Sequence, residues 1–165
     1  MAPHTFVAYV EDKPGVLNRV ASLFRRRTFN IESLTVGHTD QAGVSRMTIV
    51  VDTDDEGAHH VEAHLYKLVN VLRVDNVTAR PNVIRELTLI KVATTAGTRP
   101  EIFQLADVFR ARIIDVSAET LTVEVTGDQS KIDGLIELLA PFGIREMART
   151  GIAALERGNN LLSLI

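Results

Sequence analysis

The chain has 165 residues, 45% of them hydrophobic and 5% aromatic, enough apolar material for one medium domain or two small ones. Its formal net charge of -3 and pI near 5.9 leave no broad positive field for a phosphate backbone, so nucleic acid is not an expected partner. Without cysteine there is no disulfide, thiolate nucleophile or cysteine-ligated metal; without a signal-peptide pattern or a long apolar run, a cytoplasmic protein is expected.

Phe6 to Val10 form an almost wholly apolar run, which predicts a strand covered on both faces. Asp12, Lys13, Pro14 and Gly15 break it. From there Val16, Leu17, Val20, Leu23 and Phe24 recur at helical spacing, with Asn18, Arg19, Arg25 and Arg26 on the other face. Ile31, Leu34 and Val36 predict a second strand and residues 44–51 a third, joined by a hairpin loop over 40–43. Ala58, Val61, Leu65 and Leu68 define a second helix, and a fourth strand opens at Val71.

After Pro81 the order returns: strand 84–92, helix around 102–109, strand 113–116, an alternating strand through Leu121, Val123 and Val125, helix 132–139 and a last strand over about 144–147. Ala21, Leu23, Phe24, Arg25, Arg27, Asn30 and Ile31 match Ala106, Val108, Phe109, Arg110, Arg112, Asp115 and Val116 at a constant spacing of 85, which predicts an internal duplication. The expected fold is α+β: two ferredoxin-like βαββαβ modules, over 1–80 and 82–158, and a tail over 159–165. Each four-stranded sheet has a face left to cover, so association of modules or of two chains is expected.

Catalytic motifs are missing. No two glycines are separated by one residue, which excludes the dinucleotide fingerprint, and no G-x-S-x-G nucleophile elbow occurs. His59, His60 and His64 share a helix face but lack a third ligand at a firm spacing, so they read as a solvated face and no metal is expected. The pairs Glu11 with Asp12 and Asp54 with Asp55 stand at element ends, where carboxylates solvate loops or favour helix N-termini. No catalytic residue is assigned.

The turn from Glu11 to Leu17 is more informative. Gly15 allows close approach to the backbone, and N–H groups at the helix start would face an anion such as a carboxylate. Asn30 offers a carbonyl oxygen to an ammonium group. The same residues equally suit a plain turn and a loop end.

The runs Val10 to Leu17, Phe29-Asn30-Ile31-Glu32-Ser33-Leu34-Thr35-Val36, Ser45-Arg46-Met47-Thr48 and Lys67-Leu68-Val69-Asn70-Val71-Leu72 resemble the small regulatory subunits of acetohydroxyacid synthase, also called acetolactate synthase. The part to about residue 80 looks like an ACT domain; Ile113-Ile114-Asp115-Val116 and Arg149-Thr150-Gly151 look like that family's C-terminal domain. The resemblance implies a non-catalytic homodimer that activates a separate large subunit in branched-chain amino-acid biosynthesis and confers feedback inhibition by valine or a relative. It also implies that thiamine diphosphate, magnesium and FAD reside on that large subunit. The effector would lie between Asp12, Gly15, Val16 and Leu17 of one chain and Asn30 and Ile31 of the other. The second module, with Thr94-Thr95-Ala96-Gly97-Thr98-Arg99-Pro100 at its first turn, would lack such a site. The alternative is a free-standing ACT-type amino-acid sensor that regulates a different enzyme.

Overall fold

The structure, a computed structural model, describes residues 1–162. It divides into two compact units: Met1–Val83 together with the segment from Ile152 onward, and Ile84–Gly151.

In the first unit, β1 (Ala2–Glu11), β2 (Ile31–His38), β3 (Val44–Thr53) and β4 (Val71–Asn76) form an antiparallel sheet in the order β2-β3-β1-β4. The apolar run of the sequence becomes the centre of β1, extended at both ends where ladder bonds to β3 compensate for polar side chains. Phe6, Ala8 and Val10 enter the core on one face, while Val7 and Tyr9 are buried on the other. Helix α1 (Val16–Arg26) buries Val16, Val20, Leu23 and Phe24, and α2 (Asp55–Tyr66) buries Ala58, Val61 and Leu65 against the same core. Each fully buried aliphatic or aromatic side chain contributes about 1.5 to 3 kcal/mol, so this helix spacing carries most of the docking energy. Asp54 caps α2 by accepting from the Gly57 N–H at 2.8 Å, the structural use of that acidic pair.

The second unit repeats the plan with β5 (Asn82–Ala93), α3 (Arg99–Val108), β6 (Arg112–Val116), β7 (Thr120–Gly127), α4 (Gln129–Leu139) and β8 (Ile144–Arg149), in the order β6-β7-β5-β8. Ile90, Val92, Leu121, Val123 and Val125 face Ile102, Ile132, Leu135 and Leu139 in its core. Asp128 caps α4 as Asp54 caps α2.

The duplication is present, but its register differs from the expected spacing of 85. The ladder irregularities at Tyr9/Val10 and Ile31/Ser33 recur at Lys91/Val92 and Ile113/Asp115, a spacing of 82. The left-handed residues that end α1 and α3, Thr28 and Arg110, are also 82 apart. A slip of three residues is nearly one helical turn, which keeps apolar positions aligned on one face and so leaves the wrong register attractive in sequence.

From Ile152 onward the end of the chain packs in the first unit. A short strand, β9 (Ala153–Glu156), pairs with β5, whose first residues count with that unit. Ile152, Ala154 and Leu162 are buried, the Ile152 N–H donates to Ser33 Oγ at 3.1 Å, and Arg46 donates from Nη2 to the Ala154 carbonyl. Ser33 and Arg46 lie on the sheet face opposite α1 and α2, so this segment contributes cover that the sequence had assigned to association. Of the tail expected over 159–165, residues 163–165 lie outside the described residues.

Candidate functional site

The β1–α1 turn is fixed at both ends. Leaving β1, the Asp12 N–H donates to the Gly43 carbonyl at 2.9 Å and the Lys13 N–H to the Glu11 carbonyl at 3.0 Å. Gly15 then takes φ 84°, the left-handed region that glycine enters without a Cβ penalty, and serves as the N-cap of α1. A Cβ built there meets nothing within 4 Å, and no side chain caps the first turn. The turn therefore leaves open space in front of a helix start, where backbone N–H groups and the helix dipole favour an anion.

The expected site residues divide by burial. Val16 is 3% exposed and belongs to the core, so it backs the turn from beneath, whereas Leu17 is 47% exposed. Asp12 Oδ2 lies 3.3 Å from His38 Nδ1 at the end of β2. Asn30 is exposed, and its Nδ2 donates to Glu32 Oε1 at 2.6 Å, which orients the amide with Oδ1 as its accepting atom. Ile31 is half-buried and packs against the first core.

Strand register keeps these two groups apart within one chain. β1 and β2 both run antiparallel to β3, so they run parallel to each other. Ile31 pairs with Val51, whereas Glu11, where the turn begins, pairs with Val44. Seven residues of β3 separate those rungs, roughly 23 Å at about 3.3 Å per residue. Asp12, Gly15, Val16 and Leu17 thus stand at one end of the sheet, and Asn30 and Ile31 at the other. His38, at the far end of β2, shares the turn's end through Asp12.

Four polar residues around the turn, Glu11, Lys13, Arg19 and Asn70, are joined by contacts that sequence spacing does not reveal. Asn70, 8% exposed, accepts through Oδ1 from Arg19 Nη1 and donates from Nδ2 to Glu11 Oε2 at 3.3 Å, while its carbonyl accepts from the Glu11 N–H at 2.9 Å. Glu11 Oε2 also lies 2.7 Å from Lys13 Nζ. These contacts hold the Glu11 carboxyl below the ordinary glutamate value, the Lys13 hydrogen bond most and the Asn70 amide next. The available signal was Asn70 itself, a lone amide between Val69 and Val71 at a strand start.

The histidines do not assemble a site. His64 Nδ1 lies 2.6 Å from the His60 carbonyl of its own helix, and no group of three or more possible metal-ligating side chains comes together among the described residues. In the second unit, the register of 82 sets Thr94, Gly97, Arg99 and Arg112 at the places of Asp12, Gly15, Leu17 and Asn30. Gly97 is not left-handed there, and two cations replace an apolar and an amide side chain.

Comparison with known proteins covers both units. Residues 6–73 match the family described as the AHAS small subunit-like ACT domain, and residues 85–158 the family described as the small subunit of acetolactate synthase. The acetolactate synthase small subunit of Mycobacterium leprae is 52% identical over 94% of this chain and 92% of its own length. The probable acetolactate synthase small subunit of Archaeoglobus fulgidus is 51% identical over 94% of this chain and 98% of its own. The crystal structure of the acetolactate synthase small subunit from Thermotoga maritima superposes with a TM-score of 0.89 at 43% identity, covering 97% of this chain and all of that one.

Proposed function

The chain belongs to the family of acetolactate synthase small subunits, and on that premise we propose that it is a non-catalytic, cytoplasmic regulatory subunit. In this reading it forms a homodimer, activates a catalytic large subunit that carries thiamine diphosphate, magnesium and FAD, and makes that partner sensitive to valine or another branched-chain amino acid. The ACT-domain match over residues 6–73 supports a regulatory role.

One observation carries the dimeric effector site: the separation of the two residue groups along β2. β2 is an edge strand, with Val36 42% exposed, and an edge of this kind is open to pairing with another strand. Antiparallel β2-to-β2 pairing about a twofold axis would set Asn30 and Ile31 of one chain beside the end of β2 in the other, where Asp12, Gly15 and Leu17 stand. The ligand carboxylate would then meet the backbone N–H groups beyond Gly15, and the ammonium would meet Asn30 Oδ1. Leu17 and Ile31 supply apolar surface for a branched side chain, with Val16 behind them. The Asp12 carboxylate, 3.3 Å from His38 Nδ1, would attract the ligand ammonium and repel its carboxylate.

The test is reconstitution. Tagged chain should retain a large thiamine-dependent subunit from its native cell, the complex should form acetolactate faster than that subunit alone, and valine should slow it. A pure chain that turned over pyruvate, or a large subunit indifferent to its presence, would contradict the reading.

A further inference from the structure

The polar groups around the β1–α1 turn form a chain of contacts with one residue in the middle. Asn70 sits between α2 and β4, outside the turn, and is buried. Its Oδ1 holds Arg19, on the first turn of α1 after Gly15; its Nδ2 and carbonyl hold Glu11, the last residue before the turn. Glu11 in turn holds Lys13 inside it. Both flanks of the turn are therefore fastened to one side chain that belongs to neither flank. Without it, Arg19 and Glu11 would still attract, but no rigid group would set the distance between them.

We propose that Asn70 is the positioning residue of the effector site: it fixes the turn around Gly15 in the shape that receives an amino-acid carboxylate, without touching the ligand. The inference rests on the reading that this turn binds the effector. A site already ordered before binding loses less entropy when its ligand arrives, so the Asn70 clamp acts on affinity rather than on the catalytic partner. An amide suits this place because it carries acceptor and donor on separate atoms, Oδ1 for the guanidinium and Nδ2 for the carboxylate.

Valine binding to the full chain, followed by calorimetry, tests this. Asn70→Ala should weaken binding roughly tenfold, about the worth of one charge-assisted hydrogen bond, and the Asp12 and Lys13 amides should exchange faster in the ligand-free dimer. Asn70→Asp keeps an acceptor for Arg19 but opposes Glu11, so it should also weaken binding even if the alanine variant folds poorly. Adding Glu11→Gln to Asn70→Asp restores a donor facing an acceptor and should recover most of the affinity, a rescue that general loss of stability would not produce. Gly15→Asp separates the two readings. If it abolishes binding while both Asn70 variants bind as the wild type does, the positioning role is wrong and the site stands. Wild-type binding by Gly15→Asp would remove the site, and the role of Asn70 with it.

Discussion

Arg46 and Tyr9 face each other across β3 and β1: Nη1 of Arg46 donates to the Tyr9 hydroxyl at 2.6 Å, and the guanidinium carbon lies 5.4 Å from the centre of the Tyr9 ring. The same guanidinium reaches the Ala154 carbonyl and, at 3.5 Å, that of Leu162. One half-buried cation thus ties the C-terminal segment to the sheet.

Replacing Arg46 by Met keeps the aliphatic stem and removes every donor. We expect a loss of about 1.5 to 3 kcal/mol, the range for hydrogen bonds to a charged group, read from the urea midpoint. Tyr9→Phe keeps the ring under the guanidinium and removes only the hydroxyl, for about 1 kcal/mol. Limited proteolysis should cut after Ile152 sooner in Arg46→Met than in Tyr9→Phe; equal rates would show that Arg46 does not hold the segment.

Thr28 ends α1 with φ 59°, a left-handed conformation that a β-branched side chain enters at a cost. The Phe29 N–H donates to the Phe24 carbonyl and the Thr28 N–H to the Arg25 carbonyl, the pairing that normally favours glycine at this place. Thr28→Gly should therefore stabilise the chain by about 1 kcal/mol despite the greater freedom of glycine when unfolded, seen as a higher urea midpoint with unchanged slope.

The sequence was legible where burial alone decides. Alternation and helical spacing gave the strands and helices of both units because Phe6, Ile49, Leu65, Ile90 and Leu135 have no alternative to the core. Polar contacts made over long sequence distance were not legible. Arg46 reads as the solvent face of an alternating strand, yet its partners lie 108 and 116 residues away. Nor does spacing tell that Gly15 and Asn30 stand at opposite ends of a sheet, since that depends on β1 and β2 both pairing with β3.

Lys13 and Asn70 hold the Glu11 carboxyl below its ordinary value of 4.5. A carboxyl lowered in the folded state contributes stability that is complete above the unfolded value and lost as pH falls through the folded one. The order of the β1–α1 turn should therefore persist at neutral pH and weaken below about pH 4.5, the unfolded glutamate value. Titration of the Glu11 carboxyl carbon by NMR would check the direction, and Asn70→Ala should move it back toward 4.5.

Glu86 is 5% exposed and accepts from Arg149 through Nε at 2.9 Å and through Nη2, while Arg149 Nη1 donates to Asp133 at 3.0 Å. Removing the cation strands a buried carboxylate. Arg149→Met should cost about 3 kcal/mol, the low end for a broken buried pair because Arg149 is itself 30% exposed. Adding Glu86→Gln should recover part of that loss, and a double-mutant cycle with no coupling would show the pair to be energetically idle.

With Gly15 and Asn30 at opposite ends of the sheet, one effector site should draw these two residues from different chains. Gly15→Asp should place a carboxylate in the open space before α1; aspartate tolerates the left-handed backbone better than most residues, and its Cβ meets no atom within 4 Å, so the fold should survive. Asn30→Ala removes the ammonium's acceptor and should weaken valine binding by about 1.5 to 3 kcal/mol. Each variant dimer alone should therefore bind valine poorly. When the two variants are unfolded together and refolded, a mixed dimer carries one site with both changes and another made of Gly15 from the Asn30→Ala chain and Asn30 from the Gly15→Asp chain. That second site is wild type in every contact. Calorimetry of the mixture should then recover tight binding at one site per mixed dimer, whereas a site built within a single chain, across some 23 Å of sheet, would leave every site altered and recover none.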